Sequence, residues 1–464
     1  MTALDKTYVS GKAVSILGAA RSGMAAAVLL SRHGARVFVS EFGRISEENK
    51  LILEQQGIAW EENGHTARVL ESEWVVISPG VPSKVSIVQE CVALGMPVVS
   101  EIEVASWFCK APIVAITGSN GKTTTTELLG HVFRTSGRTT WVCGNVGTPF
   151  ASVCDQCAEN DVVVLEVSSF QLDHITSFRP HVALLLNITP DHLDRYDYNF
   201  ELYAASKLSI SQNQKESDAL VINSDDPAIR DRMPVSREDG PGLYTFSLEN
   251  APENTVENRV EGGAYLDKNS LQIHLNNQNE KLMYVDELAL RGRHNVYNSL
   301  AAAVAARVME VRSDVVRESL KTFSGVPHRL EPLREIDGVR YINDSKATNV
   351  NAVWFALESF SEPVVLIAGG RDKGNDYSSL KPLVSSRVRA LITIGEAAER
   401  MHAELGSCTK DSVIAESLED AVKLAHLLAK PGDVVLLSPA CASFDMFNSY
   451  EHRGDQFKQI VSNL

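Results

Sequence analysis

Eight consecutive residues, Thr117-Gly118-Ser119-Asn120-Gly121-Lys122-Thr123-Thr124, have the types and order that hold a nucleotide's phosphates. The two glycines let the backbone turn tightly and aim N–H groups at phosphate oxygens. Lys122 supplies a cation for the β- and γ-phosphates, and the Thr123 hydroxyl is a ligand for Mg²⁺. The strict P-loop pattern asks for a further glycine five residues before Gly121, and Ile116 stands there. The setting is nevertheless the required one. Ile113–Ile116 is an apolar run that reads as a strand, and the residues from Lys122 to about Ser136 read as a helix, so the loop amides meet a helix N-terminus. Nucleotide binding is the expectation.

Two further side chains are candidate metal ligands. Glu166 closes the apolar run Val162–Leu165, and His192 ends Asn187-Ile-Thr-Pro-Asp-His192 after the run Val182–Leu186. Ligands of α/β proteins gather at the carboxyl ends of strands. Each residue alone also has a plainer reading as a solvated strand-end side chain, and Mg²⁺ prefers oxygen to imidazole. Lys207, in the helical pattern Tyr203-Ala-Ala-Ser-Lys-Leu-Ser, is by default a solvated surface lysine. Nearer the N-terminus, Gly18-Ala-Ala-Arg-Ser22-Gly23 joins a strand to a helix with only two glycines of the dinucleotide fingerprint. A phosphate at the helix N-terminus and an ordinary tight turn are both open there. Glu41 closes the next strand, where a ribose-binding acid would stand. Cys154-Asp-Gln-Cys157 is a lone CxxC without a second pair, better explained as two helix-face cysteines than as zinc or redox chemistry.

The elements that must position these residues alternate along the whole chain. Strand patterns at Ala13–Leu17, Arg36–Val39, Trp74–Ile77 and Pro97–Val99, with a helix at Ser22–His33, imply βα units on a parallel sheet. The polar, turn-rich stretches between about 238 and 285 read as β-hairpins added to a central α/β core. Strand patterns return at Val339–Ile342, Val364–Ile367, Ala390–Ile394 and Val434–Leu437, with a helix at Ser417–Leu428. The fold class is α/β, with three α/β domains in series: a Rossmann-like domain over 1–108, a P-loop-type ATPase domain over 109–326 and a second Rossmann-like domain over 327–464.

Bulk composition agrees with this. A chain of 464 residues, 44% hydrophobic, suits about three domains. The net charge of -15 argues against nucleic acid as a partner. Seven scattered cysteines fit a reducing compartment rather than a disulfide framework. Met1-Thr-Ala-Leu-Asp-Lys6 has no signal character, and no apolar run reaches the ~18 residues of a membrane span. A cytoplasmic monomer without membrane partners is expected.

Taken in order, a series of blocks resembles the Mur ligase family of peptidoglycan synthesis. The blocks are Thr117–Thr124, Gly144-Asn145-Val-Gly147, Glu166-Val-Ser-Ser-Phe-Gln171, Asn187–Asp194, Lys207, Gly292-Arg-His294-Asn295-Val-Tyr-Asn298 and His328-Arg329. Asn343-Asp344-Ser345-Lys346-Ala-Thr348-Asn349, Gly369-Gly-Arg-Asp-Lys373-Gly374 and Leu437-Ser-Pro-Ala-Cys-Ala-Ser443-Phe-Asp445 follow. The family carries the shortened phosphate loop. The resemblance implies an ATP-dependent ligase with two Mg²⁺ ions, and the Asp344–Thr348 block points to addition of D-glutamate to UDP-N-acetylmuramoyl-L-alanine.

Site roles follow from the same resemblance. Gly18, Ser22, Gly23, Glu41, Ser78, Pro79 and Gly80 would hold the uridine diphosphate, and Asn145 would lie near the reacting carboxylate. Gly118, Ser119, Asn120, Gly121, Lys122, Thr123 and Thr124 would bind ATP, with Asn295, Asn298, Arg329, Asp344 and Lys346 completing its site. Thr123, Glu166, His192 and Lys207 would ligate magnesium, Lys207 as a carbamate, because an ammonium cannot bind a cation. Thr348, Lys373 and Ser443 would receive the amino acid, and Tyr450 falls where relatives have another aromatic. Lys122, His192, Lys207 and Lys346 are the expected catalytic set, and a hinge is expected near Gly325-Val-Pro327. The competing expectation is a nucleotide-binding scaffold or regulatory partner that has lost the chemistry. The retention of Lys122, Thr123, Glu166, His192, Lys207, Asp344 and Lys346 argues against it.

Overall fold

The apolar runs assemble into three sheets in a computed structural model that describes residues 5–232, 239–252, 260–372 and 374–464. In the first sheet, β1 (Ala13–Leu17), β2 (Arg36–Ser40), β3 (Ala59–Glu61), β4 (Trp74–Ile77) and β5 (Val98–Ser100) run parallel in the order β3-β2-β1-β4-β5. The chain direction of winding reverses between β1 and β4, which opens a crevice at their carboxyl ends, the usual ligand position in an open α/β sheet.

The second sheet contains β6 (Ile113–Thr117), β7 (Thr140–Gly144), β8 (Val162–Glu166), β9 (Val182–Leu185), β10 (Ala219–Asn223), β11 (Gly242–Ser247), β12 (Val260–Asp267), β13 (Ser270–Leu275) and β14 (Gln278–Tyr284). Their order is β14-β13-β12-β11-β10-β9-β6-β8-β7. Strands β6, β8 and β9 are buried throughout, as expected of parallel strands covered on both faces. Because β6 lies between β8 and β9, with Ile116 opposite both Glu166 and Leu184, the phosphate loop emerges between the two other strand ends that carry candidate ligands. The expected hairpins are the antiparallel strands β12–β14, which continue this sheet at its edge.

The third sheet joins β15 (Glu331–Ile336), β16 (Val339–Asn343), β17 (Val364–Gly369), β18 (Val388–Ile394), β19 (Asp411–Ile414) and β20 (Val434–Ala440) in the order β15-β16-β20-β17-β18-β19. Only β15 pairs antiparallel. By packing, Met1–Leu288 with Tyr297–Phe323 make one compact unit and Ala289–Val296 with Ser324–Leu464 another.

Within the first unit the N-terminal and central sheets are tied by a buried carboxylate. Glu103, on the helix Glu101–Ser106, accepts from the backbone N–H groups of Thr176 (2.9 Å), Ser177 (2.9 Å) and Phe178 (2.8 Å). It also accepts from the Thr176 and Ser177 hydroxyls and from the Trp107 indole at 3.0 Å. One carboxylate therefore satisfies a run of donors that burial would otherwise leave unpaired.

The structure corrects the reading of the CxxC segment. Cys154–Gln156 is a single 3₁₀ turn rather than part of an α-helix, and Cys154 and Cys157 are buried in an apolar cluster with Cys143 and Phe150. Strands β3, β7, β10, β15 and β19 were not legible as strands, because short apolar or edge segments lack a decisive period. Among the described residues, no helix is long and apolar enough to cross a membrane.

Candidate active site

The phosphate loop is shaped by two glycines and held by an asparagine. Gly121 has φ +85°, and a Cβ there would meet Asn298 Oδ1 at 2.5 Å. Gly121 caps the helix Lys122–Thr135 without a side-chain hydrogen bond, so no capping side chain stands at the helix end where an anion binds. Asn120 N donates to Asn187 Oδ1 (2.8 Å) and Asn187 Nδ2 donates back to Asn120 O (3.0 Å). Ser119 Oγ donates to Thr189 O (2.8 Å), accepts from Thr189 N (2.9 Å) and lies 2.9 Å from the Tyr203 hydroxyl. Asn187 and Tyr203 thus fix the loop. Asn187 stood inside a recognisable strand-end block, whereas nothing local marked Tyr203 for this task.

Two lysines converge on one carbonyl. Lys122 Nζ donates to Gly118 O (2.7 Å) and Ser119 O (2.9 Å), and Lys207 Nζ donates to the same Gly118 O at 2.9 Å. The default surface reading of Lys207 is wrong: the residue is 2% exposed, on the helix Phe200–Leu208, with Nζ over the Tyr203 ring. Burial, joined by the positive charge of Lys122, drives its amine well below the ordinary lysine range, against the pull of Asp191, Asp173 and Glu166.

Glu166 ends β8 beside this pair. Its Oε1 accepts from Asn145 Nδ2 at 3.2 Å, while Oε2 is buried with no hydrogen-bond partner among the described residues. An orphaned carboxylate oxygen beside a phosphate loop is a fitting donor for a cation. Thr123 is half-buried at the start of the loop helix and Thr124 is buried. His192 sits at φ +50° on the loop after β9, edge-on to Phe170, with Nε2 3.7 Å from Asp191 Oδ2. Among the described residues no three His, Cys, Asp or Glu side chains gather as a metal cage. A cation here would therefore draw on mixed donors.

The crevice at the end of the N-terminal sheet encloses about 630 Å³. Gly18, Ser22, Glu41, Ser78, Pro79, Gly80 and Asn145 all line it. Gly23 does not. It packs beneath the turn, where a Cβ would lie 1.9 Å from Gly18 O. Glu41 accepts from Ala19 N (2.6 Å) and Gly43 N (2.9 Å), and Ser78 Oγ donates to Gly18 O (3.2 Å). Arg21, Phe42 and His65 also line the cavity, and only the fold could bring His65 to it.

In the second unit, Asp344 is fully buried at the end of β16. It accepts from Ser438 Oγ (2.8 Å) and Leu330 N (3.1 Å), and burial pushes its carboxyl up to about 6 despite the nearby Arg329. Lys346 Nζ lies 5.2 Å above the Tyr450 ring, and Thr348 N donates to Lys346 O. Ser443 is buried. Asn295 Nδ2 donates to Arg291 O (2.8 Å), and the adjacent His294 is half-buried, its imidazole pushed down to about 3 by desolvation and then by the charge of Arg329. Lys373 lies outside the described residues. A residue missed from sequence, the buried Arg453, donates to Ser345 Oγ (3.0 Å) and Ser345 O (2.8 Å) and so fixes the Asp344–Thr348 turn.

Three domain descriptions match the chain: the MurD N-terminal domain over 14–87, the Mur ligase middle domain over 116–306 and the Mur ligase glutamate ligase domain over 328–441. A UDP-N-acetylmuramoylalanine–D-glutamate ligase from Salinibacter ruber is 54% identical, with 97% of each chain covered. The ligase of the same name from Chloroherpeton thalassium is 46% identical, over 98% of this chain and 99% of the other. Among solved structures, a pseudomurein peptide ligase type C from Methanothermus fervidus aligns with a TM-score of 0.59 at 20% identity, over 98% of this chain and 100% of that one.

Proposed function

Since the chain belongs to the Mur ligase family, we propose that it joins D-glutamate to UDP-N-acetylmuramoyl-L-alanine with ATP, forming an amide in peptidoglycan precursor synthesis. The observation that carries this reading is the meeting of Lys122, the buried Lys207 and the unpartnered Glu166 oxygen at a phosphate loop, in a chain whose relatives bear that name.

A carboxylate is a poor electrophile, so the γ-phosphoryl group of ATP passes first to the substrate carboxylate and gives an acyl phosphate. Negative charge accumulates at that step. The loop amides and Lys122 neutralise it, the ammonium exchanging the Gly118 and Ser119 carbonyls for phosphate oxygens. The amine of D-glutamate then attacks the acyl carbon, and inorganic phosphate leaves. Two Mg²⁺ ions would be held by Thr123, Glu166, His192 and Lys207, and would supply further charge neutralisation. For this Lys207 acts as its carbamate, and burial that lowers the pKa of the amine favours the neutral form that adds CO₂. Asn145, bonded to Glu166, lies on the wall of the nucleotide cavity and orients the reacting carboxylate.

In the second unit, Thr348, Lys373 and Ser443 receive the amino acid, and Tyr450 steadies Lys346 through its ring face. The enzyme works in the cytoplasm as a monomer on small-molecule substrates. Phosphate release measured with ATP, UDP-N-acetylmuramoyl-L-alanine and D-glutamate tests the reading. Release that depends on all three is expected, and no release above the control without D-glutamate overturns it.

A further inference from the structure

One wall of the N-terminal cavity carries a histidine whose proton position is dictated by its neighbours. Ser40 Oγ lies 2.6 Å from Glu61 Oε1 and 2.7 Å from His65 Nδ1. Burial works against the charge on Glu61, but hydrogen bonds from Ser40 and Thr66 hold its carboxyl below the ordinary range. An ionised carboxylate only accepts, so the single hydroxyl proton of Ser40 is committed to Glu61. Ser40 Oγ is then the acceptor at its other contact, and His65 Nδ1 is the protonated nitrogen. Burial also pushes the imidazole below its ordinary value, against the pull of Glu41 and Glu61, so the ring is neutral at neutral pH. A neutral imidazole with its proton on Nδ1 has a bare lone pair on Nε2. Among the described residues no hydrogen bond reaches that nitrogen.

Beside this acceptor stands an unusual apolar surface. Phe42 is 74% exposed, with its ring centroid 6.0 Å from that of His65 and the planes 45° apart. Both residues line the cavity alongside Glu41 and Gly18. An exposed aromatic plane next to a half-buried acceptor suits a flat heterocycle that stacks on the one and donates an N–H to the other.

On the reading of this cavity as the uridine-diphosphate site, we propose that His65 reads the base: its Nε2 accepts the N3–H of uracil while Phe42 supports the ring face, and the pair selects uridine over cytidine nucleotides. Cytosine carries a lone pair at N3, which would face the lone pair of Nε2 with no proton between them. A site built to pair a donor discriminates strongly against a ligand that lacks it.

Isothermal titration of the full chain with UDP, CDP, N3-methyl-UDP and 2′-deoxy-UDP tests this without a mutation. UDP should bind about 5- to 30-fold more tightly than CDP or N3-methyl-UDP, and any change with 2′-deoxy-UDP reports on the ribose, where Glu41 stands, rather than on His65. In His65→Phe, UDP affinity should fall to that of CDP while CDP affinity is unchanged. Equal binding of UDP and N3-methyl-UDP overturns the role of His65 and leaves the reading of the cavity standing. A loss seen only with 2′-deoxy-UDP also overturns it, since the base would then not be read. No binding of UDP at all overturns both.

Discussion

Replacing Lys207 by methionine should make the protein more stable and inactive at once. Methionine keeps an unbranched stem of similar length and removes only the amine. That amine is fully buried and lies well below its ordinary value of 10.5, chiefly through burial and then through Lys122. The unfolded chain therefore binds a proton that the folded chain releases at any pH between the lowered value and 10.5. In that window stability rises with pH by about 1.4 kcal/mol per unit, and it is lost as pH falls. Against this cost stands one hydrogen bond to Gly118 O, worth about 1 kcal/mol. Its loss orphans nothing, because Lys122 Nζ still donates to the same oxygen at 2.7 Å. Exchanging a costly buried ionisable group for an apolar one of similar volume stabilises by about 1–4 kcal/mol, and that gain is expected at pH 7. The gain should shrink as pH rises through that window, by at most about 1.4 kcal/mol per unit. Urea unfolding in bicarbonate-free buffer at pH 7, 8 and 9 measures it. Trp60, Trp74, Trp107 and Trp141, four of the five tryptophans, report on the unit that holds Lys207. Turnover should vanish while ATP still binds. A less stable variant at pH 7, a difference that ignores pH, or retained turnover would refute the reasoning.

Glu103→Ala leaves three backbone N–H groups, two hydroxyls and an indole without their acceptor. It should cost about 3–5 kcal/mol of stability, read by the same urea titration, and a loss under about 1 kcal/mol would show that water or a neighbour replaces the carboxylate. Gly121→Ala forces a side chain into φ +85° and against Asn298 Oδ1. ATP affinity should fall about tenfold with the unfolding transition in place, and unchanged ATP binding would show that the loop does not need its left-handed turn.

Much of the strand framework was legible in the chain. Ala13–Leu17, Trp74–Ile77 and the buried runs before Glu166 and after Pro112 show strand character because parallel strands covered on both faces are continuously apolar. Edge strand β7 and the short β3 were not, since Thr140–Gly144 is half-buried and Ala59–Glu61 is only three residues long. The phosphate loop was legible for a different reason. Its glycines, lysine and threonine are contiguous, and the conformation they require is local.

Lys207 shows where that legibility stops. Its helical setting was readable, but its burial depends on Gly118, 89 residues earlier, and on the Tyr203 ring packed beneath it. His65 is the same case, since its tautomer follows from Ser40 and Glu61, which meet only when β2 and β3 pair. The sequence by itself determined which groups were available and which turns and helices would carry them, because backbone sterics and periodicity act over a few residues. The tertiary structure alone decided which lysine is buried, which carboxylate oxygen lacks a partner and which imidazole nitrogen is bare. Those properties depend on desolvation and hydrogen-bond partners supplied by segments far apart in the chain.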